Sequence, residues 1–378
     1  MKVAIVQEWL TNLGGSERVT LSLHEMFPDA PIFTSIYNPE NLPSSFKDLD
    51  VRTSFLQRIP FVKKKHQITF PIMPRAFESF DFCEFDLVIS VNHSCSKGII
   101  TSSQTLHICY CCTPTRYLWS NYHEYLRESN FNFLINKFIP RLTNKLRLWD
   151  RVAAERVDKY ICISNYVAKR IKKYYKKDSA VVYPPVYTRF FQPSDKIDDY
   201  YLIVGRLIPY KKVDIVIRAF NDLGLPLKII GTGPEYNKLR KIAKPNIEFL
   251  NNLKDREMKE YYSKARAFIA PQEEDFGITP IEAMASGRPV IAYNKGGLKE
   301  TVVEGITGTF FNMQSPQCLI DTIKKFKPER YNPKLIRQHA LKFDESSFKR
   351  KMKELIEQYF LSYRNELEEG LTENTNKL

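Results

Sequence analysis

The stretch EEDFGITPIEAMASGRP, residues 273–289, decides how this chain is read, because two carboxylates, Glu274 and Glu282, bracket a Phe-Gly pair and a Thr-Pro step. Part of it is plain helix grammar. Thr279 and Glu282 have the T-x-x-E spacing of a capping box, in which each side chain satisfies an orphan backbone N–H, and Pro280 stands where its missing donor costs nothing. Gly287 ends that helix and Pro289 forbids its continuation. Glu274 is left over. It follows the apolar run RAFIAPQ (266–272), which reads as a strand, so the carboxylate lies at that strand's carboxyl end. In an open α/β sheet, ligands bind in the crevice outside the carboxyl ends of the strands. The pair, with Gly277 between its members, points to a site.

On either side of this stretch, short apolar runs alternate with amphipathic ones along the whole chain, the pattern of α/β domains with parallel sheets. The first series of strands is expected at 2–7, 30–36, 85–91, 106–111, 159–164 and 180–185, with a helix from about Ser16 to Phe27 that sets Val19, Leu23, Met26 and Phe27 on one face. The polar stretch TRFFQPSDKIDDY (188–200) reads as a boundary. A second series comes after it, at 201–207, 227–233, 247–252, 266–272, 289–294 and 307–312. The expected organisation is two Rossmann-like domains, 1–190 and 198–345, facing each other across a cleft. A charged C-terminal helix of about 346–367 packs back on the first domain and then dissolves into TENTNKL.

The 378 residues suit two domains of ordinary size. No apolar run approaches the ~20 residues of a membrane span. MKVAIVQEWL reads as a buried first strand and not as a signal peptide, which predicts a cytoplasmic protein. Seven cysteines, mostly inside apolar segments, fit reduced thiols better than a disulfide framework, and no second cluster completes a zinc site around Cys109, Cys111 and Cys112.

The net charge of +14 calls for an anionic partner: nucleic acid, an anionic membrane surface or a phosphorylated ligand. Basic clusters lie at Lys63, Lys64 and Lys65, and at Lys169, Arg170, Lys172, Lys173, Lys176 and Lys177, around Tyr174 and Tyr175. Each reads as a solvated helix face or as an interfacial membrane contact. No nucleic-acid-binding signature accompanies them.

Three glycine-bearing turns stand between strand and helix: Gly14 and Gly15, Gly231 and Gly233, and Gly296 and Gly297. Backbone N–H groups there can approach an anion, although a tight turn alone also demands glycine. VGRLIPYKKVD is sharper. Arg206 follows a strand directly and Lys211 stands at the next helix start, so either a guanidinium fork and an ammonium converge on one point, as suits a diphosphate, or the two are ordinary surface cations.

The segments GRLIPYKKVD, GTGPEYNKL and EDFGITPIEAMASGRPVIAYNKGGLKETV resemble, in order and spacing, the second domain of the retaining GT-B glycosyltransferases of glycosyltransferase family 4. GGSERV, FDLVISVNHSCSKGI, CYCCTPTRYLW and YICISNYVAKRI resemble the first domain of its bacterial surface-polysaccharide mannosyltransferase branch. The resemblance implies that Arg206 and Lys211 hold the donor diphosphate, Glu282 the nucleotide ribose and Glu274 the donor sugar. It further implies that Phe276, Gly277, Ile278 and Thr279 line the donor at the helix start, and that Gly14, Gly15 and Arg116 border the phosphate and acceptor region. One departure stands out: where the branch reads C-H-T-P-x-R-Y-L-W-D, this chain has Cys112 for the histidine and Ser120 for the aspartate. A neutral thiol does not shuttle a proton as imidazole does. Either that histidine is dispensable, or His93 serves the site as a catalytic group, or the activity has changed. His24, His66, His107, His123 and His339 offer no supporting spacing.

The activity implied is transfer of a hexose, mannose favoured with GDP-mannose as donor, to a lipid-linked glycan acceptor in cell-surface polysaccharide synthesis. UDP-sugars and another hexosyltransferase specificity remain open. No metal or cofactor is expected, Asp48 and Asp50 of DLD falling in a surface-like loop. The protein would stand peripherally on the inner face of the membrane, with no nucleic-acid partner. The rival readings are an inactive basic docking protein on anionic membrane and a sugar-nucleotide epimerase; the intact Arg206, Lys211, Glu274 and Glu282 set speaks against the first.

Overall fold

The computed structural model describes residues 1–63, 66–123, 126, 133–251, 253 and 255–375. Lys64 and Lys65 of the first basic cluster, Asn252 at the end of an expected strand, and the last three residues of the tail lie outside the described residues. The chain divides into two compact units, Met1–Pro184 with Phe348–Leu378, and Pro185–Ser347. The division falls ahead of the boundary read at 190–198 because the segment after Pro185 is tied to the end of the second unit. Val186 bridges Asp344, and the Thr188 hydroxyl donates to the Asp344 carboxylate.

The first unit runs β1 (Val3–Gln7), α1 (Gly15–Met26), β2 (Ile32–Thr34), β3 (Val51–Thr53), α2 (Met73–Glu78), β4 (Leu87–Asn92), β5 (Leu106–Cys111), α3 (Phe133–Glu155), β6 (Lys159–Cys162), α4 (Asn165–Tyr175) and β7 (Ala180–Val181). The second runs β8 (Tyr201–Val204), α5 (Val213–Leu223), β9 (Leu227–Ile230), α6 (Tyr236–Ile242), β10 (Ile247–Leu250), α7 (Asp255–Lys264), β11 (Ala267–Ala270), α8 (Ile278–Ala285), β12 (Val290–Tyr293), α9 (Leu298–Thr301), β13 (Gly308–Phe311), α10 (Pro316–Lys325) and α11 (Pro333–Ala340). The closing helix α12 (Glu345–Thr375) belongs to the first unit from Phe348 onward and runs to Thr375, into the stretch expected to dissolve. Within that unit Phe348 meets Tyr110 edge-on, Lys349 pairs with Glu25, and the Tyr363 hydroxyl donates to the Ser103 carbonyl at 3.0 Å.

The first sheet has the order β3-β2-β1-β4-β5-β6-β7 and the second β10-β9-β8-β11-β12-β13, with all pairings parallel. Strands buried on both faces by crossover helices read as unbroken apolar runs, which is why VAIVQ, LVISVN and AFIA carry no alternation and are buried throughout. Each sheet reverses its direction of growth once. In the first this happens between β1 and β4, with Ile5 opposite Ile89; in the second between β8 and β11, with Leu202 opposite Phe268. At such a switch point the two flanking crossovers leave the strand ends in opposite directions and a crevice opens between them.

Candidate active site

The second unit's switch point brings together Arg206, Lys211 and, through Lys211, Glu274, whereas Glu282 bonds elsewhere, to Tyr262. Arg206 leaves the end of β8 through Gly205, and a short turn, Pro209–Lys211, brings Lys211 back before Lys212 enters α5 in a left-handed conformation (φ 52°). Val204, Gly205, Arg206, Lys211, Phe268 and Gln272 line one crevice. The Lys211 ammonium pairs with the Glu274 carboxylate, which also accepts from Gln272 Nε2 at 2.7 Å. Burial works against the Lys211 charge, but the Glu274 carboxylate carries the balance and holds its pKa above the ordinary lysine value, with Arg206 pulling slightly the other way. The two cations thus line the same crevice, with Glu274 beside them as the partner of Lys211.

The helix that opens this stretch differs from the capping-box reading. α8 begins at Ile278, its N-cap is Gly277 at φ 95°, and Thr279 is the second residue inside the helix. A left-handed turn needs glycine there, and the N-cap has no side chain to accept the first N–H groups. Glu282 lies half-way along the helix, 5% exposed, and its Oε2 accepts from the Tyr262 hydroxyl at 2.8 Å. Phe276 is buried in the turn, its ring edge-on to Phe343. Ile278 and Thr279 are half-buried at the helix start.

The second unit's glycine turns also read differently once folded. A Cβ on Gly296 would lie 2.3 Å from the Glu274 carbonyl oxygen, and one on Gly297 2.2 Å from that of Asp275. Gly296 forms a bridge with Glu274, and the Gly297 N–H donates to the Glu274 carbonyl at 2.8 Å. These glycines let the β12 exit lie flat against the loop carrying Glu274, a packing reason for glycine at both positions. Gly231 and Gly233 do the same for β8, where a Cβ would fall 1.9 Å from Gly205 O and 2.3 Å from Leu207 O.

At the first unit's switch point the sequence reading overlooked the central residue. Glu8, fully buried at the end of β1, accepts from the backbone N–H groups of His93, Ser94, Cys95 and Ser96 at 2.6–3.2 Å and from Asn92 Nδ2 at 2.9 Å. The loop bearing His93 is wrapped around a carboxylate 84 or more residues away in sequence. The His93 ring stands edge-on to Trp9, centroids 4.6 Å apart. Gly14 is the N-cap of α1, and a Cβ there would lie 2.8 Å from Glu17 Oε2. The α1 start at Gly14 and Gly15 is therefore attended by an internal carboxylate. Burial pushes the Glu17 pKa up, against His93, which lowers it, and the N–H groups of Glu17 and Gly14 that bond the carboxylate.

Cys112, at the departure from the family pattern, follows β5 and donates its N–H to the Asn92 carbonyl at 2.7 Å, which sets it beside the His93 loop. Arg116 lies half-buried in the turn after it, its carbonyl accepting from Trp119 and Asn121. Ser120 Oγ is 2.8 Å from Asn121 Oδ1 and 3.4 Å from an Arg170 nitrogen, whose other arm donates to Thr113 at 2.8 Å. Arg170 is buried, so it leaves the basic surface cluster; Lys177 pairs with Glu155 and Lys172 with Asp178, and Lys169, Lys173 and Lys176 are exposed. Below this turn Lys97 and Asp150, both fully buried, form an ion pair to which Trp119 and Tyr175 donate at 2.7 and 2.9 Å. Among the described residues no helix is long and apolar enough to cross a membrane.

Two parallel-strand sheets with helices on their faces put the chain in the α/β class that GT-B glycosyltransferase structures share. Residues 187–343, nearly the whole second unit, match the family described as glycosyl transferases group 1. The chain is 31% identical over 184 residues to an uncharacterized glycosyltransferase of Methanocaldococcus jannaschii, a match covering 47% of this chain and 52% of that one. It is 28% identical over 207 residues to the alpha-1,3/1,6-mannosyltransferase ALG2 of Dictyostelium discoideum, covering 41% and 49%. The chain spans about half the length of these relatives. Sucrose-phosphate synthase from Thermosynechococcus elongatus has the same fold over 96% of this chain and all of its own, with a TM-score of 0.73 and 18% identity.

Proposed function

We propose that the protein is a retaining, metal-independent glycosyltransferase that moves a hexose, mannose favoured, from a nucleotide-diphosphate sugar to a lipid-linked glycan acceptor in surface-polysaccharide synthesis. The observation that carries this reading is that Arg206 and Lys211 line one crevice at the second unit's switch point, with Glu274, three residues ahead of the glycine N-cap of α8, paired to Lys211. Two cations offset the charge that gathers on a departing diphosphate, the charge on whose stabilisation sugar transfer depends most. Lys211 exchanges Glu274 for the phosphate, and the released carboxylate accepts from the donor sugar's hydroxyls. Glu282 accepts from the ribose.

The acceptor hydroxyl attacks the anomeric carbon from the face the diphosphate is leaving. The bond from that carbon to the phosphate oxygen breaks, and the hydroxyl proton passes to the departing oxygen, so the configuration is retained and no enzymic base is consumed. His93, Gly14, Gly15 and Arg116 serve the acceptor side. Relatives that act as mannosyltransferases support mannose. GDP-mannose is the donor proposed, and the exposed Lys169, Lys173 and Lys176 would meet an anionic membrane at the cytoplasmic face.

The test is a thermal-shift series with GDP, UDP and their sugars on the full chain and on Arg206→Ala. Binding to the native state alone raises apparent stability by RT ln(1 + [L]/Kd), about 2.7 kcal/mol at a hundredfold excess over Kd. One nucleotide family stabilising the wild type and not the variant is expected. No response to any nucleotide, or an equal response in Arg206→Ala, would end this reading.

A further inference from the structure

We infer that Tyr262 is a positioning residue that selects ribose over deoxyribose in the nucleotide site by holding the Glu282 carboxylate. The inference rests on the proposed role of Glu282.

Tyr262 stands on α7, which packs against α8, and is 1% exposed. Its ring lies parallel to Phe268 of β11, centroids 5.9 Å apart and planes within 13°, and edge-on to Phe191 at 5.0 Å. Phenylalanine would satisfy that apolar packing equally well. A buried phenol instead brings a hydroxyl that requires a partner, and here the hydroxyl reaches Glu282 Oε2 at 2.8 Å. Glu282 is itself 5% exposed, the fifth residue of α8.

A glutamate carboxylate turns easily about its last bond, because that torsion has only a broad, two-fold preference. Two vicinal ribose hydroxyls are recognised together only if the carboxylate plane is fixed when the nucleotide arrives. Otherwise the ordering cost falls on binding. The Tyr262 hydroxyl restrains that carboxylate by donating to its Oε2, a bond internal to the protein. Sites that hydrogen-bond a substrate hydroxyl reject the analogue lacking it far more strongly than apolar sites discriminate size. The strength of that rejection depends on the polar group being held in place, and the holding is assigned to Tyr262.

The experiment measures Kd by titration calorimetry for GDP, UDP and their 2′-deoxy counterparts on the full-length wild type, Tyr262→Phe and Glu282→Gln. The wild type should prefer the ribonucleotide of its base by about tenfold or more, the size of a hydrogen bond to a charged group. In Tyr262→Phe the preference should fall to about threefold or less, while the ring packing persists and the second unit stays folded, its melting temperature lowered only modestly by the lost hydrogen bond. A purely structural tyrosine would weaken both nucleotides equally and leave the ratio alone. If Glu282→Gln abolishes the preference and Tyr262→Phe keeps it, the role given to Tyr262 is overturned and that of Glu282 stands. If Glu282→Gln also keeps it, Glu282 does not read ribose and both fall.

Discussion

Replacing His107 by glutamine should change how the first unit responds to acid. His107 lies on β5, fully buried, with Nε2 2.8 Å from Ser90 Oγ and its backbone N–H donating to the Asp158 carboxylate. Burial disfavours the imidazolium and takes its pKa down to about 3, against an unfolded value of about 6.5. Above the unfolded pKa both states are neutral at this residue and nothing is lost; as pH falls, the unfolded chain takes up a proton that the folded chain refuses, and stability drops. Between pH 7.5 and 4.5 this amounts to about two pH units at about 1.36 kcal/mol each, or ~2.7 kcal/mol. Glutamine keeps a hydrogen-bonding group facing Ser90 and does not titrate. All three tryptophans, Trp9, Trp119 and Trp149, belong to the first unit, so their fluorescence in urea reports its unfolding. The gap in unfolding free energy between wild type and His107→Gln should shrink or reverse by about 2.7 kcal/mol from pH 7.5 to 4.5. A gap that stays constant over this range would refute the argument.

Asp150→Asn should cost the first unit about 3–5 kcal/mol in the same assay, because it leaves the fully buried Lys97 ammonium uncompensated; Lys97→Met with Asp150→Leu should recover much of the loss. Gly297→Ala drives a methyl against the Asp275 carbonyl and should destabilise the second unit by about 1–3 kcal/mol, read by calorimetry. Because the displaced loop carries Glu274, nucleotide-induced stabilisation in that variant should also fall.

The strands were legible because parallel sheets bury both faces, and their runs of valine, isoleucine and phenylalanine announce themselves locally. β3 escaped because three residues, VRT, make too short a run to stand out. Arg206 and Lys211 were legible for a similar reason: five residues of separation suffice to bring them together. Glu8, Asp150 and Tyr262 were not. Each acquires its role from a partner 20 or more residues away, and a single acidic residue after a strand carries no mark of the loop that will fold around it. The glycine pairs mislead in the opposite direction. Sequence shows that a Cβ is forbidden, and only the fold shows whether a ligand or the chain's own carbonyl forbids it. Thr279 failed as a cap because Gly277, in a left-handed turn, starts the helix first.

The first unit is discontinuous: it opens the chain, yet Phe348, Met352 and Ile356, all fully or almost fully buried, arrive only after the second unit has been made. Domains fold as units during synthesis, at about 5–20 residues per second. The 163 residues from Pro185 to Ser347 therefore impose a wait of roughly ten to thirty seconds on a ribosome-bound first unit that still lacks its last helix. The second unit, uninterrupted in sequence, can be complete before the first, and the order in which the halves mature is the reverse of the order in which they begin.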